Sequence, residues 1–412
     1  MSRRVAMRVL YRVAEEGAYA AVALDAELRR AGLRGSDAAL ATEIVYGALR
    51  ALPAIDAALD ARLRSPSTTD PLLRAALRVG AYQLLYLDRV PAHAAVGETV
   101  TACREARGAK LAGVANAVLR RLARERPAVP ATASLMLPAW IERCVRDGLG
   151  EPRADVFLGP RRLPPPLGLR FAEPPDDAAL AALAAAGGEA TRSALAPRGV
   201  AVRGVGDPRA LPGYAEGRFS VQELGAQLVV ARAGAQPGER VADLCAGHGT
   251  KTLALAEEVG PSGRVVAVDL YEEKLARLEL ERARLGIAAE RVEARAVDLT
   301  RGLGGLAPKS FDRVLLDAPC TGLGTIHRRP ELALRLRPED PARLGGLARA
   351  LALRAAELVR DGGTLVLATC SAAREEGPAL ADALGSPAAS VDVVGPWLGE
   401  ELDVYHVLTW RR

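Results

Sequence analysis

The sequence predicts an α/β protein: a doubly wound, Rossmann-like parallel sheet in its C-terminal half, preceded by an all-α bundle and a small mixed α+β connector. Three observations lead there. Apolar positions in the first third recur at helical spacing, short apolar runs alternate with helical stretches through the last half, and a proline-rich change of pattern lies between them. A chain of 412 residues exceeds what one hydrophobic core organises, so several domains are expected. We place them at residues 1–127, 128–215 and 216–412.

From Arg3 to about Arg126 the pattern is helical. Val5, Val9 and Val13 form one apolar ridge with Arg4, Arg8 and Arg12 beside it. Leu72–Leu87, "LLRAALRVGAYQLLYL", is apolar nearly all round, as a central bundle helix should be, and follows a break that runs from Ser65-Pro66 to Pro71. In "LAGVANAVLRRLARER" arginines crowd the last turns, where the helix dipole favours cations. The pattern changes at "RPAVPATASLMLPAW" and again at "GPRRLPPPLGLRF", where Pro164-Pro165-Pro166 form an extended connector. Asp176 to Ala186 reads as one helix of the mixed region. After "GRFSVQELGAQLVV" short strands are predicted at Arg240–Leu244, Arg264–Val268, Arg291–Val297, Asp312–Leu316 and Thr364–Ala368, with helices such as "YEEKLARLELERARL" between most of them. In sheets of this kind ligands bind beyond the carboxyl ends of the strands.

Composition narrows the function. Half of the residues are hydrophobic, which excludes wholesale disorder. Five scattered cysteines without a CxxC pair suggest neither a disulfide framework nor a zinc site, and they fit a reducing cytoplasm. No uncharged apolar run approaches the roughly 18 residues of a membrane helix, so no membrane partner is expected. The Arg-rich start resembles a transit peptide but runs into Glu15 and Glu16, and we read it as part of the fold. Residues 1–130 carry 20 Lys and Arg against 13 Asp and Glu, a net +7 that leaves −2 for the remainder of the +5 total. That basic third suits contact with phosphates, although arginine is abundant along the whole chain.

The predicted strand ends carry a consistent set of groups: Asp243 and Cys245, then Asp269, Asp298, Asp317 with Cys320, and Cys370. A single acid there is as readily a helix N-cap, but five successive ends point to a site. The first turn, "DLCAGHGTKT", is neither a P-loop nor a GxGxxG fingerprint, because Thr250 precedes Lys251 and Thr252 follows in place of a third glycine. A glycine-bearing turn followed by an acid at the next strand end still suits an adenosine cofactor without pyrophosphate, and S-adenosyl-L-methionine is the expected one. The two thiols at neighbouring strand ends indicate the reaction. Methylating C5 of a pyrimidine requires an activated carbon, and a thiolate adding to C6 provides it. Taken singly, Cys320 or Cys370 reads as a small buried hydrophobe, and Cys103 and Cys144 read as packing.

These motifs, "FSVQELGAQL", "DLCAGHGTKT", "VVAVDLYEEKL", "FDRVLLDAPCTGLGTIHRRPEL" and "GGTLVLATCS", resemble those of the bacterial 16S ribosomal RNA cytosine-5 methyltransferase B family, RsmB or Sun. "EIVYGALR", "LRVGAYQLLYLDRVPAHAAVGETV" and "GVANAVLRRL" are similar to its NusB-type RNA-binding domain. The resemblance implies a class I methyltransferase sheet. It makes Cys370 the nucleophile that attacks C6 and Cys320 the second cysteine, which helps remove the C5 proton and release the methylated base. Asp317 becomes the acid that contacts the cytosine and borders the cofactor. Cys245, Ala246, Gly247, His248, Gly249, Thr250 and Lys251, with Asp269 and Asp298, match the positions that hold S-adenosylmethionine.

Two departures from the family pattern stand out. Where the family reads AAPGGKT, Gly247, His248 and Thr250 replace the second Ala, the Pro and the second Gly, and a β-branched Thr suits no positive-φ position. His248 is either a polar contact to the cofactor carboxylate or a solvent-exposed substitution. The end, "ELDVYHVLTWRR", also lacks the GDGFF-type final strand. The expected protein is a cytoplasmic, monomeric enzyme that methylates small-subunit ribosomal RNA, uses no metal, and contacts RNA through Arg328 and Arg329 among others. The same chemistry on transfer RNA, or an RNA-binding module with a decayed methyltransferase half, fits the residues as well.

Overall fold

The computed structural model describes residues 1–130, 135–161, 164–381 and 390–412. They fall into two compact units, one comprising Met1–Glu142, Leu158–Leu163 and Ile326–Leu336, the other Arg143–Phe157, Pro164–Thr325 and Arg337–Arg412. Residues 131–134 and 162–163 of the expected connector lie outside the described residues.

The first unit is helical: α1 (Ser2–Glu15), α2 (Ala20–Ala31), α3 (Gly35–Arg50), α4 (Leu52–Asp60), α5 (Pro71–Tyr86) and α6 (Ala92–Glu125). The Val5, Val9, Val13 ridge is buried in one core with Ile44, Leu77 and Leu119. Helix α5 starts where its sequence demands: Pro71 opens it, and the Asp70 carboxylate accepts from the N–H groups of Leu72 and Leu73, each at 3.0 Å. Gly80 lets α6 approach, since a Cβ there would stand 2.5 Å from Leu119 Cδ1. Helix α6 is broken at Gly108 (φ 80°, ψ 179°), and its second half is the arginine-rich stretch seen in the sequence.

The second unit contains α7 (Ala139–Leu149, whose first turn counts with the helical unit), α8 (Glu151–Leu158), β1 (Leu167–Phe171), α9 (Asp177–Ala185), β2 (Glu189–Arg192), β3 (Gly199–Arg203) and β4 (Phe219–Val221). The four strands form an antiparallel sheet in the order β2-β3-β1-β4. The chain continues through α10 (Leu224–Ala233), β5 (Arg240–Leu244), α11 (Thr250–Val259), β6 (Arg264–Asp269), α12 (Glu272–Arg284), β7 (Val292–Ala296) and β8 (Phe311–Asp317). After α13 (Leu332–Arg335), which belongs to the helical unit, come α14 (Asp340–Leu358), β9 (Val359–Thr369), α15 (Pro378–Ala381), β10 (Ser390–Val394) and β11 (Tyr405–Arg411).

The large sheet has the order β10-β11-β9-β8-β5-β6-β7. Strands β5 to β9 are parallel, while β11 runs antiparallel to both β9 and β10. Of the parallel strands, β5, β6, β8 and β9 bury their apolar stretches on both faces, which is why these read as continuous apolar residues, whereas β7 at the sheet edge exposes Glu293, Ala294 and Ala296. On one face Val241, Val265, Leu315 and Val366 pack with α10, α11 and α12. On the other, Ala242, Val266, Val314, Leu316 and Leu365 pack with α14. All five predicted strands are present, with β9 starting five residues earlier than expected. The sheet is mixed rather than wholly parallel, and the segment that lacks the GDGFF motif nonetheless forms β11. Its alternating β-branched and aromatic residues pair with β9 from Thr364 to Thr369, so a glycine is not needed for the strand. No single helix among the described residues is long and apolar enough to cross a membrane.

Asp70→Ala removes the side chain that caps α5, and it should cost about 1 kcal/mol. Guanidinium unfolding of the variant, followed by circular dichroism, should show the helical transition at lower denaturant.

Candidate active site

The order of the parallel strands reverses between β5 and β8, which opens a crevice beyond their carboxyl ends. The turn from β5 to α11 is held tightly there. Cys245 sits at φ 60°, Gly247 at 59° and Gly249 at 82°. Ala246 N donates to Val268 O, and Gly247 N donates to Asp269 Oδ2 at 2.9 Å. Thr250 instead opens α11 and is not at positive φ, so the strain falls on Cys245, whose thiol is pushed up to about 12 by burial and neighbouring carboxylates. His248 is exposed.

Asp269 ends β6 and is 6% exposed. Its Oδ1 accepts from Tyr271 N at 3.0 Å, and Lys274 Nζ lies 3.5 Å away. Each carboxylate oxygen keeps lone-pair capacity beyond these bonds. Leu270 and Tyr271, next in the chain, leave apolar surface exposed. A Cβ on Gly247 would meet open space. A carboxylate for a diol, apolar surface for an aromatic ring and an open backbone turn form a set that fits S-adenosylmethionine. Asp298 lies two residues beyond β7 and accepts from Thr300 N and Thr300 Oγ, which hold its carboxyl below the usual carboxylate range.

Three further groups come from neighbouring elements. Asp317 ends β8 and accepts from Lys251 Nζ at 2.6 Å. Lys251 is buried, which works against its charge, yet Asp317 outweighs that and raises its pKa, with Asp243 and Cys370 adding in the same direction. Cys320, in the turn after β8, and Cys370, straight after β9, bring their sulfurs to 3.4 Å. The hydrogen bond to Cys370, followed by burial, raises the pKa of Cys320 well above the ordinary thiol value. Both thiols and Asp317 remain partly exposed. Arg328 and Arg329 follow in Ile326–Leu336, part of the helical unit, where Arg329 is exposed and Arg328 half-buried.

The sequence reading missed several members of this cluster. Tyr405 reaches it from β11: its ring centroid lies 6.0 Å from Lys251 Nζ, and burial together with Glu223, Cys370, Asp403 and Asp317 raises its pKa. Glu223 caps α10 through Ala226 N and also accepts from Asp403 N, which ties the approach to β11 to the start of α10. Glu376 is fully buried beneath the two thiol turns. The signal for Tyr405 was the aromatic residue in the final strand, whereas nothing in the spacing marked Glu376. Among the described residues no group of His, Cys, Asp and Glu is arranged to hold a metal ion.

Residues 1–124 match the NusB family, and residues 232–393 match the family described as 16S rRNA methyltransferase RsmB/F. A probable ribosomal RNA small subunit methyltransferase B from Synechocystis is 33% identical over 90% of this chain and 85% of its own. The chain belongs to the RsmB/F methyltransferase family. The ribosomal RNA small subunit methyltransferase B of Vibrio cholerae is likewise 33% identical, over 91% of this chain and 86% of its own. The crystal structure of PH0851 superposes with a TM-score of 0.84, covering 99% of both chains at 23% identity, so the RsmB/F chain shares its fold. Its family makes the protein an S-adenosylmethionine-dependent methyltransferase.

Asp243 yields a pH-dependent test. It is completely buried; Oδ2 accepts from Thr252 Oγ at 2.6 Å, Oδ1 has no partner among the described residues, and burial raises its pKa from 3.8 to about 7. A carboxyl raised in the fold binds its proton more tightly there than in the unfolded chain, so stability is lost as pH rises from 3.8 through about 7. Asp243→Asn keeps the acceptor and removes the titration. Between pH 5 and pH 8 the unmodified protein should lose thermal stability relative to this variant.

Proposed function

We propose that this protein methylates C5 of a cytosine in small-subunit ribosomal RNA through a covalent bond between Cys370 and C6. The observation that carries the reading is the pair of sulfurs 3.4 Å apart beside Asp317. Transfer to a base nitrogen or oxygen requires no thiol, whereas C5 of cytosine is unreactive until a nucleophile adds at C6. The family match and the rRNA-directed names of its relatives supply the substrate class.

In this scheme the target cytosine leaves its stack to reach the sheet edge. Cys370 adds as a thiolate to C6, and the π electrons of the C5–C6 bond move to make C5 nucleophilic. Asp317, oriented by Lys251, engages N3 of the base as charge builds on the ring. Cys245–Lys251, Asp269 and Asp298 would hold S-adenosylmethionine, whose methyl group would pass from sulfur to C5 with S-adenosylhomocysteine as the leaving group. Loss of the C5 proton to water then restores the C5–C6 double bond as the bond between C6 and Cys370 breaks. Cys320, kept as a neutral thiol by its hydrogen bond and burial, assists that release. The basic helical unit and Arg328 and Arg329 contribute phosphate contacts.

Cys370→Ala should abolish turnover, and Cys320→Ala should accumulate a denaturation-resistant protein–RNA adduct visible by gel electrophoresis. A Cys320→Ala enzyme that turns over normally and forms no adduct would sink the two-thiol mechanism.

A further inference from the structure

The loop that follows Cys370 folds back beneath the site, and its buried acid touches both thiol-bearing turns. Glu376 is 0% exposed. Its Oε1 accepts from Thr321 N at 2.7 Å, and its Oε2 accepts from Thr321 Oγ and Ser371 Oγ, each at 2.5 Å. Thr321 is the residue directly after Cys320, and Ser371 is the residue directly after Cys370. The two hydroxyls also lie 3.2 Å from each other. On the other side of Cys370, Thr369 Oγ donates to the backbone carbonyl of Glu376 at 2.6 Å.

We propose that Glu376 is a positioning residue: its carboxylate clamps the turn after β8 to the turn after β9 and thereby sets the separation of the Cys320 and Cys370 sulfurs. This rests on the two-thiol reading of the site and adds to it the group that holds the thiols in register. The clamp is built rather than incidental. A carboxylate taken out of water needs several donors, and here three come from the two residues that adjoin the thiols. The next residue, Gly377, packs against the buried His406 of β11, where a Cβ would fall 2.3 Å from the ring. The loop therefore cannot slide along its bed. Gly324 closes the arrangement from the Cys320 side, donating to Cys370 O at 3.0 Å and leaving no room for a Cβ beside Val404 O. Glu376 touches neither thiol directly; it acts through Thr321 and Ser371.

The test uses the full-length protein, and its first readout, thiol closure, needs neither RNA nor cofactor. Diamide oxidises two neighbouring thiols to a disulfide, itself taking up the two hydrogens to become a hydrazine, so the rate of Cys320–Cys370 closure reports how the turns are held. Closure is followed by mass spectrometry, with methyl transfer kinetics and thermal unfolding measured in parallel. Glu376→Gln keeps one acceptor for Thr321 N–H and offers an amide to the two hydroxyls, which can turn to accept, so closure should stay near the unsubstituted rate. Glu376→Ala should slow closure about tenfold or more, as expected for losing hydrogen bonds to a charged group. It should also lower kcat while leaving KM for S-adenosylmethionine unchanged. If Glu376→Ala does not fold, the Thr321→Val, Ser371→Ala double variant serves instead, with the same slowing expected. Closure at the unsubstituted rate in the folded Ala or double variant would overturn the clamp, as would equal slowing in Gln and Ala. Closure that follows the clamp without any 5-methylcytosine being formed would instead remove the proposed chemistry and leave the clamp standing.

Discussion

The register between β8 and β9 is the constraint on which the site depends. Leu316 lies opposite Leu367 and Asp317 opposite Ala368, and Ala318 N donates to Ala368 O, so the two strands leave the sheet side by side. Because both faces of these strands are buried, a slip of one residue would turn Leu315 and Val366 out of one core and into the other. Burial therefore fixes the register, and the register fixes where the two thiol turns begin. The parallel pairing of β5 with β8 brings the Asp243–Lys251 turn to the same edge.

That edge concentrates charge where water is scarce. Asp243 is wholly enclosed, and Lys251 is largely so. Isolating either charge would be costly, but the ammonium lies between carboxylates and pairs with Asp317 at 2.6 Å. The same ammonium orients the acid that meets the base in the proposed chemistry. The neighbouring turn carries strain, since Cys245 adopts a left-handed conformation that its side chain disfavours.

The edge of the sheet shows how motif and fold differ. A GDGFF-type ending is absent, yet β11 forms, because the strand is stabilised by ladder pairing with β9 and by burial of Tyr405, Val407 and Leu408. What the altered sequence changes is the side chain offered to the site: Tyr405 and His406 occupy the start of that strand, the first beside Lys251 and the second, lowered to about 4 by burial, held neutral under Gly377.

The sequence by itself determined the parallel strands, the helical first third and the pair of thiols at neighbouring strand ends. Those features are local: continuous apolar runs of strand length, a 3.6-residue periodicity, and residues that follow a strand directly. The turn with positive φ at Gly247 and Gly249 was equally legible from the glycines. Tertiary structure alone decided the partners. Lys251 reads as one more residue of a cofactor turn until the β5–β8 pairing sets it against Asp317. Glu376, six residues past Cys370, carries no mark of a role in "REEG", and only the folding back of the loop buries it between Thr321 and Ser371. Such pairings join residues separated by 55 or 66 positions, as Thr321 with Glu376 and Lys251 with Asp317. Only the packing of distant strands brings them together, and no local periodicity encodes that.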